Sequence, residues 1–178
     1  MSRSILLAAA AAVSISLSAC AANEAAMEAA SAGDMTPTMR DAYVGMAAAS
    51  DMFEIQSSQL ARTRGQSQAV KDFAQMMIAH HTQTTAQLTA AARASGVTPP
   101  APVLLPMQAR MMDELRGASG AGFDRVYLTQ QVQAHEMALA LHGNYARNGD
   151  TPALQAVAQA ATPIVQQHLD RARQLAAM

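Results

Sequence analysis

The sequence predicts an all-α protein, a four-helix bundle with one short extra helix between its second and third long helices. About half of the residues are apolar (51%), but aromatic residues make up 3% and Trp is absent. A composition in which Ala, Leu, Gln and Met are common favours helices over strands. Apolar residues also recur every three or four positions over long stretches that Gly and Pro separate, as amphipathic helices require.

The first long helix is predicted over residues 38–64, with Thr38 as its cap after Pro37 and Gly65 at its end. The stripe expected to face the core consists of Met39, Ala42, Met46, Ala49, Phe53, Ser57 and Leu60. The second helix is predicted from near Ser67 to Gly96. Its stripe consists of Val70, Phe73, Met77, Thr84 and Leu88.

A Pro-rich link over residues 97–106 leads into the short helix, predicted around residues 104–116. The segment "GASGAG" then precedes the third long helix, expected to start near Phe123 and to end at "RNGD". The fourth helix takes Thr151 as its cap and Pro152 in its first turn, and it runs to the C-terminus. The sequence leaves open whether the long link is a crossover or a decorated hairpin.

The N-terminus predicts export from the cytoplasm. Arg3 precedes a short apolar run, "ILLAAAAAVSISL", which is too short to span a membrane, so residues 1–19 are expected to be a signal peptide. The run ends in "LSAC", which resembles a bacterial lipobox, and this predicts lipidation of Cys20. Ala21 after it favours a periplasm-facing lipoprotein of the outer membrane. The alternative is an ordinary signal peptide cleaved near Ala19 or Ala22, with a free thiol left over.

The rest of the chain is expected to form a tether and one domain. Residues 20–36 are small and polar and predict a flexible tether, whereas residues 37–178 carry the bundle. The formal net charge is −1, and Lys71 is the single lysine among 12 basic residues. Without a dense basic patch, no nucleic-acid partner is expected. The expected partner is the membrane, through the lipid anchor, and the sequence identifies no protein partner.

Five histidines carry the chemistry of the sequence, and helical spacing separates them. His168 lies in the middle of the apolar face of the fourth helix, and His81 faces inward from the second. His135 lies on a flank of the third helix, and His142 is expected at a solvated boundary. His80 lies at the edge of the second stripe, either facing the bundle or at a seam between helices.

Each long helix thus offers one metal-binding side chain to the interior. Four such side chains are the expected ligands of one ion: Glu54, His81, His135 and His168. His80 and Asp124 are the expected alternate or supporting ligands. Imidazole and carboxylate groups meeting in a bundle suit Zn, Cu, Fe or Ni, so the expected cofactor is a divalent or copper ion.

Competing functions follow from the same residues. A metal-free network of buried hydrogen bonds would make the protein a structural or stress-related envelope protein instead. Methionines such as Met76 and Met77 are soft ligands that favour Cu(I), although Met at helical spacing is more often core filling. A di-iron oxidoreductase is disfavoured because the Glu-x-x-His pair is absent. The leading hypothesis is therefore a non-enzymatic, metal-binding envelope protein.

Four segments of the sequence resemble a known family. They are "MFEIQSSQLA", "VKDFAQMMIAHHTQT", "FDRVYLTQQVQAHEMALAL" and "ATPIVQQHLDRARQL", and together they are similar to the domain of unknown function 4142 family. The resemblance implies an exported bacterial protein with a ferritin-like bundle. The family's pattern falls on Glu54, His81, Phe123, Asp124, Tyr127, His135, Pro163 and His168.

One position departs from that pattern, because His80 stands where the family usually has an aspartate. The change replaces a hard carboxylate with an imidazole and bears on which metal is preferred. The segment "FAQMMIAHH" also resembles, more weakly, the domain of unknown function 305 family, whose paired histidines have been tied to copper or other metals.

Overall fold

The computed structural model describes residues 37–178, so the predicted signal peptide, Cys20 and the tether lie outside the described residues. Five helices follow in order: α1 Arg40–Arg64, α2 Gln68–Ala94, α3 Pro106–Gly117, α4 Gly120–Asn148 and α5 Pro152–Ala176. Residues 37–178 contain no strand. The predicted all-α class, with four long helices and a short one after the second, is confirmed.

The helix ends are determined by local chemistry, and neither predicted threonine cap makes a capping hydrogen bond. Ser67 caps α2, since its hydroxyl accepts the Val70 N–H at 3.1 Å. The predicted cap Thr38 is wrong, because the residue at that position of α1 is Met39, which makes no side-chain cap bond. Thr151 holds the cap position of α5, but its hydroxyl bonds to the Asp150 carboxylate instead. Helix α4 begins at Gly120, three residues before the predicted Phe123.

The directions of the long helices follow from their cross-contacts. Helices α1 and α4 are antiparallel, because the rings of Tyr43 and Tyr145 stack at 3.9 Å near one end while Ser58 bonds to Tyr127 at 2.9 Å nearer the other. Short loops make α1–α2 and α4–α5 antiparallel pairs as well. Helices α2 and α4 therefore run in the same direction, at opposite corners of the bundle.

This arrangement makes the long link a crossover. The chain leaves α2 at one end and must enter α4 at the other, and α2 is about 40 Å long at 1.5 Å per residue. Helix α3 lies along this return path and packs on α1 and α4, where the Gln130 amide donates to the Met111 carbonyl at 2.9 Å. The question that the sequence left open is thereby answered, and the ferritin-like architecture is confirmed.

The core contains three apolar clusters, and a polar layer separates the two largest; the third consists of Phe53, Met111, Met112 and Ala134. Of the two largest, one contains Tyr43, Val44, Leu88, Leu141, Tyr145 and Leu154, and the other contains Val70, Phe73, Met77, Leu115, Phe123, Tyr127 and Leu175. On every long helix, buried polar residues lie between these two clusters, and the ionisable ones are Asp51, Glu54, His81, His135 and His168. Burying such groups without partners costs about 1–3 kcal/mol each, so the layer calls for an explanation beyond packing.

The buried face of α1 overlaps the predicted stripe but is more polar. Ala49, Phe53 and Ser57 of the stripe are buried, whereas Met39 is 64% exposed and Ala42 is exposed. The buried face also carries three polar residues that the stripe left out, Asp51, Glu54 and Ser58. Among the described helices, none is long and apolar enough to cross a membrane.

Candidate metal centre

Three histidine rings, one each from α2, α4 and α5, meet in the polar layer. The ring centroids of His81, His135 and His168 lie 5.4–5.8 Å apart. One nitrogen from each ring lies within 4.8 Å of the other two, and all three residues are buried. Two imidazole nitrogens on one ion stand at most about 4.2 Å apart, given metal–nitrogen bonds of about 2.1 Å. Small rotations of the rings would therefore bring all three onto one ion.

His81 is oriented by a carboxylate on α1. Its Nδ1 donates to the Asp51 Oδ1 at 2.8 Å, and the Thr84 and Thr85 hydroxyls donate to Oδ1 and Oδ2 at 3.0 and 2.9 Å. Burial lowers the pKa of His81, but the bond to Asp51 and its charge outweigh that effect and raise the pKa above 6.5. A carboxylate behind a histidine in this way fixes the ring and makes its other nitrogen a stronger ligand.

The Asp51→Asn substitution is expected to weaken metal binding about 10- to 100-fold. The amide keeps the shape but removes the charge that supports His81, and an NH₂ group cannot accept the bond from Thr85. Competitive titration against a chromophoric chelator measures the change. Asp41→Asn is the matched control, because Asp41 is an exposed acid on the same helix. Equal affinities for Asp51→Asn and the wild type would contradict the assigned role.

His135 is held by its own helix and faces Glu54. Its Nδ1 donates to the Gln131 carbonyl at 2.7 Å and lies 3.8 Å from the Glu54 Oε1. Burial, with the charge of His81, lowers the pKa of His135 to about 3, so the ring is neutral. Burial raises the pKa of Glu54 to about 7, although His81 and Gln131 act against that rise. Glu54 is thus a carboxyl group that gains or loses its proton near neutral pH.

His168 is held by the neighbouring histidine of the predicted pair. The His80 Nδ1 lies 2.8 Å from the His168 Nε2, and the two rings stack with centroids 5.0 Å apart. His80 is exposed at the α2–α5 seam, so the hydrogen bond links the triad to the surface. Burial, together with the charge of His81, lowers the pKa of His168 to about 3.

The triad retains polar atoms that the described residues do not satisfy. The His81 Nε2, the His135 Nε2 and the His168 Nδ1 are buried and have no hydrogen-bond partner among these residues, and neither has the Glu54 Oε2. The His135 Nδ1 must carry the proton, since its partner is a carbonyl, and this leaves Nε2 with a free lone pair. Neutral imidazole nitrogens with free lone pairs are the donors that Cu, Zn, Fe and Ni bind. The residues present therefore fit a metal ion.

Acidification from pH 7 to pH 4 is expected to destabilise the metal-free protein by on the order of 5 kcal/mol, roughly 15 °C in melting temperature. On folding, the pKa values of His135 and His168 fall from 6.5 to about 3 and that of His142 falls to about 4, so their contribution to stability is full above pH 6.5 and is lost toward pH 3. The pKa of Glu54 rises from 4.5 to about 7 on folding. Its contribution to the free energy of unfolding therefore has the opposite pH dependence and is smaller than that of the histidines: it is full below pH 4.5 and is lost as the pH rises through 7.

Thermal melting of the chelator-treated protein at these two pH values measures the difference. The double variant His135→Leu, His168→Leu serves as the control, since it lacks two of the three rings whose pKa is lowered and should lose less stability. A wild-type midpoint that rises toward pH 4 would contradict the expected sign.

Two other predicted residues lie away from the triad. The two carboxylate oxygens of Asp124 accept hydrogen bonds from the backbone N–H groups of Gln66 and Ser67, at 2.8 and 2.9 Å, beside the start of α2. His81 is 14 residues further along, about 20 Å at 1.5 Å per residue, so the structure does not bring Asp124 to the site. His142, expected at a solvated boundary, is instead partly buried and bonds through Nδ1 to the Tyr43 hydroxyl at 3.1 Å.

Sequence reasoning missed Asp51 and Gln131. Both lie on buried faces, at 8% and 0% exposure. An acid three residues before Glu54 on the same helix was a usable signal, because positions three apart share a face. Gln131 lies four residues before His135 in the same way, and its amide donates to the Ser57 hydroxyl at 3.1 Å.

The fold and the site together define a class of protein: a ferritin-like four-helix bundle with a buried histidine triad that facing helices build. The family described as "Domain of unknown function (DUF4142)" matches residues 24–175, and the chain belongs to this family. The resemblance stated from the sequence is therefore confirmed. The local similarity of "FAQMMIAHH" to the 305 family stays a prediction.

Solved structures of CopM share the fold. The Cu(II)-bound form aligns with a TM-score of 0.65 at 16% identity, over 78% of this chain and 95% of that one. The Cu(I)-bound form aligns with a TM-score of 0.64 at 17% identity, over 76% of this chain and 94% of that one. The Ag-bound form aligns with a TM-score of 0.63 at 17% identity, over 76% of this chain and 93% of that one. A comparison with curated proteins gives no sequence match.

Proposed function

We propose that this protein binds one transition-metal ion inside its bundle, that the ion is copper, and that the protein stores or carries it without catalysing a reaction. The observation that carries the proposal is the triad itself. His81, His135 and His168 bring one ring nitrogen each to within 4.8 Å, and each ring has a buried nitrogen without a hydrogen-bond partner among the described residues.

The donor set admits copper, and the structural neighbours favour it. Three imidazole donors suit Cu(I) and Cu(II) as well as Zn(II), and the CopM structures of the same fold contain copper in both states. Glu54 lies on the far side of His135, where its carboxylate would balance the charge of the bound ion. Asp51 would orient His81, and His80 would orient His168 from the surface side.

The space beside the triad favours binding over catalysis. The cavity that His81 and Asp51 border is about 20 Å³ in volume, which is room for about one water molecule. Substrate sites for organic molecules are typically about 300–1,000 Å³. This cavity is therefore too small for an organic substrate next to His81.

Metal analysis of the purified chain tests the proposal. After loading with Cu(I), Cu(II) or Zn(II) in turn and removal of weakly held ion, we expect one retained copper per chain and a higher melting temperature that a strong chelator reverses. A chain that retains no stoichiometric metal, with a melting temperature unaffected by chelator, would overturn the proposal. That result would favour the metal-free structural or stress-related alternative.

The proposal includes the place where the protein acts. Its support is the "LSAC" segment and the apolar run before it, from which we infer a lipid anchor at Cys20 and a periplasm-facing position at the outer membrane. Cells grown with labelled fatty acid are expected to label the wild type but not the Cys20→Ser variant. Equal labelling, or recovery of the wild type in the cytoplasm, would contradict this part of the proposal.

A further inference from the structure

A second cavity lies outside the triad, between α1, α3 and α4, and methionines dominate its lining. Its volume is about 20 Å³. Met46 of α1, Met107 and Met111 of α3 and Met137 of α4 all border it. Met107 and Met111 are four residues apart and so share one face of α3. Three separate helices therefore direct thioether side chains to one small space.

The chemistry of this lining is selective. No charged residue borders the cavity in the described part of the chain, and its polar members are Ser50 and Gln108. The Gln108 Oε1 already accepts the Leu105 N–H at 2.9 Å, which caps α3. Thioethers are thus the main donors left, and they bind soft monovalent ions such as Cu(I) and Ag(I) rather than Zn(II), Mg(II) or Ca(II).

The position of the cavity makes it accessible to an ion. Met111 is 7% exposed, whereas Met46, Met107 and Met137 are only partly buried. The Met107 sulfur accepts a bond from the exposed Gln133 amide at 3.8 Å, so it can be reached from the surface. The Gln130 amide donates hydrogen bonds to the Met111 carbonyl and to the Glu114 carboxylate, and these bonds hold α3 in place over the cavity.

We propose that Met46, Met107, Met111 and Met137 form a second metal site, selective for Cu(I) or Ag(I) and separate from the histidine triad. None of the triad residues lines this cavity, although Ala134 and Ala138 on either side of His135 do. The two sites are thus neighbours along α4 with different ligands, and the inference does not depend on the proposed function of the triad. The crossover helix α3 supplies two of the four ligands, which gives the link a role beyond connection.

Titration with Ag(I), a monovalent probe that does not change oxidation state in air, tests the site on the full chain. Carbon-13-labelled methionine methyl groups report each thioether by NMR. We expect Ag(I) to shift the methyl signals of the four cavity methionines, and to do so equally in the His135→Leu, His168→Leu variant. Shifts confined to other methionines, or no shifts at all, would overturn the proposal.

A matched set of conservative variants separates the two sites. Leucine is close to methionine in volume and is tolerated in cores, so Met107→Leu, Met111→Leu and Met137→Leu together should keep the fold and lose one equivalent of Ag(I). The control carries Leu at Met39, Met52 and Met112, none of which borders the cavity. Equal Ag(I) uptake by both triple variants would contradict the inference. If the triad binds no metal but the methionine site does, the wild type should still bind the one equivalent of Ag(I) that the methionine triple variant loses.

Discussion

The His168→Leu and His135→Leu variants are each expected to bind copper at least ~100-fold more weakly than the wild type. Metal sites with four ligands have apparent binding free energies of about 10–16 kcal/mol, or roughly 3 kcal/mol per ligand. Leucine fills much of the same space and removes a buried ring nitrogen that lacks a partner, so the metal-free variants should remain folded. Metal content after dialysis and competitive titration measure the loss.

His142→Leu is the control for these variants. It removes the same kind of side chain from a partly buried position, but its ring bonds to Tyr43 and lies outside the triad. Its copper content should match that of the wild type. If His142→Leu loses copper as fully as His168→Leu does, or if neither triad variant loses it, the assignment of the ligands is wrong.

The helices were predictable because apolar spacing and punctuation are local properties of the sequence. Gly65, Ser67 and Pro152 mark helix boundaries that the structure keeps to within a few residues. The crossover was not predictable from such signals. It depends on which faces of α2 and α4 meet their neighbours, and that choice is made by contacts between residues far apart in the chain, such as Ser58 with Tyr127.

The site was predictable where a polar residue interrupts a clear apolar face. His168 lies among apolar neighbours on α5, and His81 falls four residues after the buried Met77, so helical geometry directs both inward. On α1 the buried face is itself polar, and an apolar stripe is then a poor guide. Asp51 was missed for that reason, and Glu54 was found only as a flanking residue.

The roles of His80 and Asp124 required distances. Their helical positions suggested supporting ligands, but only the structure shows that His80 reaches the His168 Nε2 at 2.8 Å while Asp124 bonds to the backbone beside the start of α2. Both carry donors suited to metals, so residue type does not distinguish them. Their positions along the bundle distinguish them. Asp124 lies near the start of α4, away from the triad, whereas His80 lies at the level of the triad.

The Glu54→Gln substitution is expected to act in opposite directions on the metal-free and the copper-bound protein. At pH 8 the folded chain must hold a buried carboxylate whose pKa has risen from 4.5 to about 7, and this costs on the order of 3 kcal/mol. A neutral amide avoids that cost, so the metal-free variant should melt roughly 10 °C higher at pH 8 and show no gain near pH 4, where Glu54 is already protonated.

Copper binding by the same variant should weaken by about 10- to 100-fold, because the ion loses a buried negative charge beside His135. Glu136→Gln is the control, since Glu136 is half-exposed on α4 and pairs with Arg173 at 2.6 Å. A gain in metal-free stability without weaker binding would mean that Glu54 serves only the polar core. No change in either metal-free stability or copper affinity would mean that the Glu54 carboxylate is not charged at pH 8. The paired result, more stable without copper and weaker with it, is what a carboxylate kept for the ion requires.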